Sequence, residues 1–455
     1  VSTMRVVIAG GGPAGSTLGA LLAKEGVDVV LVEKTRFPRH HVGEALQPAA
    51  FELLDFHLDL RKKFEQFGFA KKFGALYLWG ESREQWSVLF DDRLDGNWES
   101  LSKEELLAGD FDHSWQVDRA TFDRVLLEEA AERGVEVRLE TSALRPILEG
   151  ERVVGLEVEG PDGEKEVLTA DFVVDATGQR CFLGRSFELT ENIEDLQATA
   201  TYAYFDGLGG VEAPLDRNVQ LVVTVPEGWV WWIPISEERT SIGVVTGDKQ
   251  KLTPERFKSI VQRSRVPYDG RDPVLEEGSR GKPFRHAKDW SYSHGRFVGP
   301  GWMMVGDAAC FTDPILSGGV DFAIRGACNA HVALLRAFEQ KSDDSLLAYE
   351  SQLSKEFAAY LRLARYWYAN NRSIDGMFWE VRSLIPEDSL ETPLRAFKYL
   401  TSGRLDADAH FRIFTDAQEA RIFDQLGVNR KALKASLEKA RERIRKRRMK
   451  TSTRH

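Results

Sequence analysis

The chain opens on an apolar run, Val6 to Ala9, that reads as a buried strand. A glycine-rich turn follows, then a helical pattern over Thr17–Lys24 and a second apolar strand, Val29–Val32. Strand, tight turn, helix and strand in that order predict a parallel β-α-β unit at the N-terminus. Apolar positions at helical spacing predict an amphipathic helix over Val117–Arg133, followed by a strand at Val135–Leu139. A hairpin is expected about Pro161-Asp162-Gly163, and a strand over Phe172–Val174. Between residues 196 and 248 the pattern changes. "ATATYAYFDG", "NVQLVVTVPEGWVWWIPIS" and "RTSIGVVTGD" alternate, are rich in aromatic residues, and have no helical stretch between them. They predict an antiparallel sheet inserted into the α/β domain. "GWMMVGDAACFTDPILSGGVDFAIRGACNAHVALL" returns to strand, loop and helix, and the pattern is helical from Tyr349 onward. The expected fold is α/β. It has a Rossmann-like dinucleotide domain, assembled from about 1–80, 110–185 and 285–345, and an inserted substrate sheet at about 81–109 and 186–284. A helical C-terminal part, 346–455, follows this 1–345 core.

Composition adds bounds. Hydrophobic residues are 42% and charged residues 29% of 455, as in soluble globular proteins. No apolar run has bilayer length. Cys181, Cys310 and Cys328 are widely spaced and follow no metal pattern, so a reducing cytoplasm is expected and no metal site. The net charge of −10 conceals a basic end: residues 430–455 carry twelve Lys/Arg against Glu438 and Glu442. Leu433, Leu437, Ala440 and Ile444 recur at helical spacing there, so a solvated helix is the expectation, with neither nucleic acid nor membrane as partner.

Gly10-Gly-Gly12-Pro13-Ala14-Gly15 fits G-x-G-x-x-G between the first strand and the first helix. Gly10 makes the turn, Gly12 lets backbone approach a pyrophosphate, and Gly15 permits close helix–strand packing. The helix N-terminus faces the phosphates. Glu33, with Lys34 beside it, ends the second strand where a carboxylate grips ribose hydroxyls. In "FDGLGGVE", Gly207 and Gly209 are followed by Glu212 where a third glycine belongs, so no second nucleotide fingerprint is visible.

Later segments resemble known flavoproteins. "DATG" (Asp175–Gly178), "GDAA" (Gly306–Ala309) and "VDRATFD" (Val117–Asp123) look like flavin segments of the FAD monooxygenase and reductase superfamily, the glutathione-reductase and aromatic-hydroxylase type. That resemblance implies FAD, with Asp307 at the ribityl chain and Arg119 near the flavin. Trp229-Val-Trp231-Trp232-Ile233-Pro234 fits W-x-W-x-I-P, and here the chain resembles the flavin-dependent halogenases. "FTDPILSGG" (Phe311–Gly319) fits that family's F-x-x-P-x-x-S-x-G, "GFAKKFG" (Gly68–Gly74) its lysine segment, and "HVGEAL" (His41–Leu46) its flavin-flanking segment.

The halogenase resemblance implies reduced FAD (FADH2), O2 and chloride or bromide as reactants, giving a hypohalous acid. A separate NAD(P)H-dependent flavin reductase supplies the flavin. Lys72, in the "KxGA" spacing, is the implied catalytic amine. Trp229, Trp231, Ile233 and Pro234 are the wall parting substrate from flavin. His41, Val42, Gly43, Pro314, Gly319 and Val320 flank the cofactor, and Ser317, Gly318 and Gly319 form the halide turn. Two departures matter. Gly318 stands where Ser or Thr is usual; it keeps the N–H but adds flexibility. Leu316 stands where tryptophan halogenases carry Glu. The second departure points to a small phenolic or pyrrolic ring, either free or held as a thioester on an acyl or peptidyl carrier protein. An FAD-dependent aromatic hydroxylase, or a halogenase-like flavoprotein without halogenating activity, is the alternative.

Overall fold

Five parallel strands form the centre of the cofactor half: Trp302–Met304, Phe172–Asp175, Arg5–Ala9, Asp28–Glu33 and Glu136–Leu139, in that spatial order. A short antiparallel strand, Val298–Gly299, edges the first of them. In the computed structural model, which describes residues 3–79, 85–96, 98–208, 219–247, 251–275, 281–288 and 291–369, Val6 to Ala9 are fully buried. Both faces of this sheet are therefore covered, as continuous apolar strands require. Helices Pro13–Lys24, Arg119–Glu132 and Gly319–Gln340 pack together over it, and a three-stranded meander, Ser142–Glu149, Arg152–Glu159 and Lys165–Thr169, packs on it too. The expected hairpin about Pro161-Asp162-Gly163 joins the last two of these strands.

The aromatic segment forms a seven-stranded sheet. Its order is Arg285–Lys288, Thr199–Asp206, Arg239–Thr246, Gly228–Pro234, Gln220–Val225, Gly74–Leu78 and Gln85–Leu89. Two expectations are corrected here. The sheet takes in Gly74–Leu78 and Arg285–Lys288, which the sequence boundaries at 80/81 and 284/285 had assigned to the cofactor part. It is also not wholly antiparallel, because Gly74–Leu78 pairs in parallel with Gln220–Val225. A parallel neighbour needs a long crossover, and that partner lies some 140 residues away, out of reach of local pattern.

Side chains alternate across this sheet. Val230 and Trp232 face a core closed by Phe257, Ile260 and Val261 of the helix Pro254–Ser264. Trp229, Trp231 and Ile233 face the opposite side, toward the cofactor half. Two of the three tryptophans thus form a wall, and the third fills a core. Pro234 ends its strand opposite Thr240, where its missing N–H is tolerated.

The helix Asp344–Ala369 is not a separate part, contrary to the expected division at 345/346. Leu346, Tyr349, Leu353 and Phe357 belong to the parallel-sheet core, whereas Tyr360, Leu363 and Trp367 pack on the wall face of the aromatic sheet. Spacings of three and four keep each set on one side of the helix. The basic end at 430–455 lies outside the described residues. Among the described residues no helix is long and apolar enough to cross a membrane.

Candidate active site

A cavity of about 490 Å3 runs from the glycine turn to the tryptophan strand. Gly10, Gly12, Pro13, Ala14, Glu33 and Lys34 line one end. Gly10 has φ +111, and a Cβ there would lie 2.2 Å from the Ala176 carbonyl oxygen. Both facts exclude other residues. Gly15 lies behind the cavity; a Cβ there would lie 1.9 Å from the Gly10 oxygen, so helix and turn pack closely there. The helix Pro13–Lys24 begins with no side-chain cap, which leaves its first N–H groups for an anion. Glu33 is held in place: one carboxylate oxygen accepts from Gly11 N at 2.9 Å, the other from Thr35 N at 3.0 Å and Thr35 Oγ1 at 2.8 Å.

The middle is framed by His41, Val42 and Gly43 on one side and by Asp307, Pro314, Gly319 and Val320 on the other. Arg119 ties the first loop to its own helix. It donates to Val42 O at 2.6 Å and to both oxygens of Asp123, at 2.8 and 3.2 Å, and a Cβ on Gly43 would lie 2.8 Å from its guanidinium. Arg119 also faces Asp307, whose carboxyl burial pushes up to about 7 while the guanidinium opposes the rise.

The far end is aromatic. Trp229, Trp231 and Ile233 line it, with indole centroids 5.8 Å apart. Trp231 Nε1 donates to Ser241 Oγ at 3.0 Å. That hydroxyl lies 3.4 Å from Glu44 Oε1, which also accepts from Tyr204 OH at 2.7 Å. Trp229 Nε1 donates to Tyr368 OH at 3.0 Å, and that hydroxyl donates to Asp313, whose carboxylate oxygens are 3.0 and 2.9 Å away. Pro234 is the one residue of the expected wall that does not line the cavity; it closes the strand instead.

The turn expected to bind halide has a geometry the sequence did not suggest. Ser317 takes the left-handed conformation, φ +53, whereas Gly318 has ordinary helical backbone at φ −83. Gly318 is therefore not required by its torsions. A Cβ there would lie 2.9 Å from the ring of Tyr360, so its smallness makes room for that side chain. Ser317 and Gly319 line the cavity, and Gly318 sits behind them against the helix 344–369.

Lys72 is 2% exposed and ends the strand Ala70–Lys72, which pairs with Ser114–Gln116. Its amine donates to Leu46 O at 3.1 Å and lies 5.3 Å from the centre of the Phe90 ring. It does not line the cavity. Glu44 and Ala45 do, so the amine stands behind the 44–46 segment. Burial pushes its pKa down to about 7.

Four participants escaped the sequence reading: Glu44, Asp313, Ser241 and Tyr368. Glu44 and Asp313 lie inside quoted motifs, where a carboxylate among small and apolar residues was the available signal. Nothing local marks Ser241 or Tyr368.

The turn that only glycine fits, the uncapped helix and the fixed Glu33 suit FAD. Fold and site together define an FAD-binding oxidoreductase whose cavity ends in a tryptophan wall. The chain belongs to the tryptophan halogenase family, whose model matches residues 5–103 and 96–432. It is similar to 1H-pyrrole-2-carbonyl-[peptidyl-carrier protein] chlorinase of Pseudomonas fluorescens, 33% identical over 80% of this chain and 84% of that one. It is also similar to tryptophan 2-halogenase of Chondromyces crocatus, 30% identical over 85% and 72%. Among solved structures, the myxobacterial chondrochloren halogenase CndH, described as an FAD-dependent halogenase, superposes with a TM-score of 0.72. It is 28% identical and covers 94% of this chain and 98% of its own. The protein is a flavin-dependent halogenase, an oxidoreductase that uses FAD, O2 and halide.

Proposed function

We propose that the enzyme halogenates an electron-rich phenol or pyrrole, carried as a thioester on a carrier protein, and that Lys72 is the amine that receives the hypohalous acid. The observation that carries the lysine assignment is its burial. An amine with a pKa near 7 and no carboxylate partner among the described residues is held substantially uncharged, the form able to take halogen from an oxidant. When bound, reduced FAD would supply two electrons to O2, and the O2-derived oxidant would take the halide to the hypohalous level. The protein's part is to position and to exclude: the glycine turn and Glu33 hold the nucleotide, Arg119 fixes the 42–43 loop, and the helix start at 318–319 offers N–H groups to a halide. Trp229 and Trp231 keep an aromatic ring away from the flavin and so suppress hydroxylation. Similarity to a carrier-protein chlorinase supports the substrate class, and Leu316 agrees with it.

The division into a cofactor part and a substrate sheet, the supply of FADH2 by a separate NAD(P)H-dependent reductase, and a cytoplasmic setting belong to the same reading. The test is product mass after incubation with FAD, a flavin reductase, bromide or chloride, and free or carrier-bound phenols and pyrroles. We expect halogenated pyrrole or phenol, dependent on the reductase. Oxygen gain without halogen would contradict the proposal, and so would exclusive turnover of free tryptophan.

A further inference from the structure

We propose that Tyr368, at the end of the helix Asp344–Ala369, is a positioning residue that pins the Trp229 indole to the halide turn. The inference rests on the tryptophan-wall reading above. Tyr368 OH is the junction of two hydrogen bonds: it accepts from Trp229 Nε1 at 3.0 Å and donates to the buried Asp313 carboxylate at 2.9 Å. Asp313 Oδ1 also accepts from Ile315 N at 2.9 Å and so shapes the turn at Pro314–Leu316 that leads into Ser317. One hydroxyl therefore joins the tryptophan strand to the F-x-x-P loop.

The chemistry matches the geometry. A buried indole N–H needs an acceptor, and a buried carboxylate needs donors. A tyrosine hydroxyl meets both needs at once. Burial next to Asp313 raises the Tyr368 phenol well above its usual range, so it remains a donor at any physiological pH.

The helix is seated without this hydroxyl. Trp367 packs on Tyr77 and Trp79, at 5.1 and 5.5 Å between ring centroids, and Tyr360 packs edge-on against Phe322 at 4.5 Å. Trp231 has its own anchor in Ser241, on the neighbouring strand. Trp229 instead depends on a residue 139 positions away. Tyr368→Phe should free one indole of the wall and loosen the halide turn while the helix stays in place.

The experiment compares wild type, Tyr368→Phe and Tyr349→Phe as full-length proteins. Tyr349 is the matched control: it lies on the same helix, is buried, and donates to Met304 O at 2.9 Å, away from the wall. The first readout is 19F NMR of 5-fluorotryptophan-labelled protein, with the Trp229 signal assigned by its loss in Trp229→Phe. The second is the KM for bromide, and the third the ratio of halogenated product to FADH2 oxidised. We expect Tyr368→Phe to shift and broaden the Trp229 signal and raise the bromide KM about tenfold, with kcat changed less than about twofold. Product per flavin should fall as oxidant escapes. Combined with Asp313→Asn, Tyr368→Phe should add little to the effect of Asp313→Asn alone. Tyr349→Phe should lower the melting temperature comparably and move none of these. An unmoved Trp229 signal and bromide KM in Tyr368→Phe would overturn the proposal, as would equal changes in Tyr349→Phe. The NMR readout needs no turnover, so failure of the wild type to halogenate any ring would break the wall reading separately.

Discussion

The two ends of the cavity are built from different materials. The cofactor end is made of backbone: a left-handed glycine, an uncapped helix start and a carboxylate fixed by its neighbours' N–H groups. The wall end is made of side chains, two indoles whose N–H groups lead through hydroxyls to carboxylates on cofactor-side loops, Glu44 and Asp313. Backbone sites tolerate almost no change in covalent shape. Side-chain walls tolerate changes of shape but fail when an anchoring hydrogen bond is lost. Substitutions at the two ends should therefore differ in kind as well as in size.

The largest effect is expected at Gly10. In Gly10→Ala, a methyl 2.2 Å from the Ala176 oxygen, at φ +111, should cost about 4 kcal/mol and abolish FAD retention. The checks are the flavin absorbance of the purified protein and its chemical denaturation.

Lys72 runs the other way. Its folded pKa, about 7, lies below the ordinary lysine value of 10.5, so between those pH values the unfolded chain binds more protons. Burying Lys72 thus opposes folding at neutral pH, and the penalty fades as pH rises from 7 toward 10.5. Lys72→Met should stabilise the protein by about 3 kcal/mol at pH 7, and the gain should shrink at pH 9. Urea unfolding at the two pH values measures this. An equal gain at both would mean that Lys72 is not desolvated.

Next in size is Gly318. Adding a side chain there meets Tyr360 at 2.9 Å, so Gly318→Thr should cost about 2 kcal/mol and weaken halide binding. Pairing it with Tyr360→Leu should restore much of both, which thermal unfolding and the halide KM would show. The smallest effect is expected at Trp232, which faces away from the cavity. Trp232→Phe should cost about 1 kcal/mol, because the cavity it leaves is partly offset by removal of an unpartnered buried N–H. Product per flavin should not change, whereas Trp231→Phe should lower it.

The same division governs what the sequence discloses. Gly10, Gly12, Gly15 and Glu33 lie within one β-α-β unit, so spacing alone is informative, and the glycine fingerprint leads directly to the cradle. Alternation in "GWVWWIP" likewise separates Trp229 and Trp231 from Trp232. The anchors are another matter. Ser241 and Glu44 are 197 residues apart, and Trp229 and Tyr368 are 139 apart. No local pattern encodes such contacts. The parallel pairing of Gly74–Leu78 with Gln220–Val225 was hidden for the same reason. Gly318 shows a subtler limit: the sequence suggests flexibility in the turn at 317–319, while the structure supplies a neighbour, Tyr360, that needs the space.

If Lys72 is the proposed acceptor, oxidant made beside the flavin must reach the buried amine behind the 44–46 segment. Lys72→Ala tests it most directly, with flavin oxidation, halogenated product and trapped free hypohalite measured in one reaction. FAD retention and FADH2 oxidation should stay close to wild type, no halogenated substrate should form, and hypohalite should be released to a trap such as monochlorodimedone. Halogenation of the substrate at the parental rate by Lys72→Ala would contradict it.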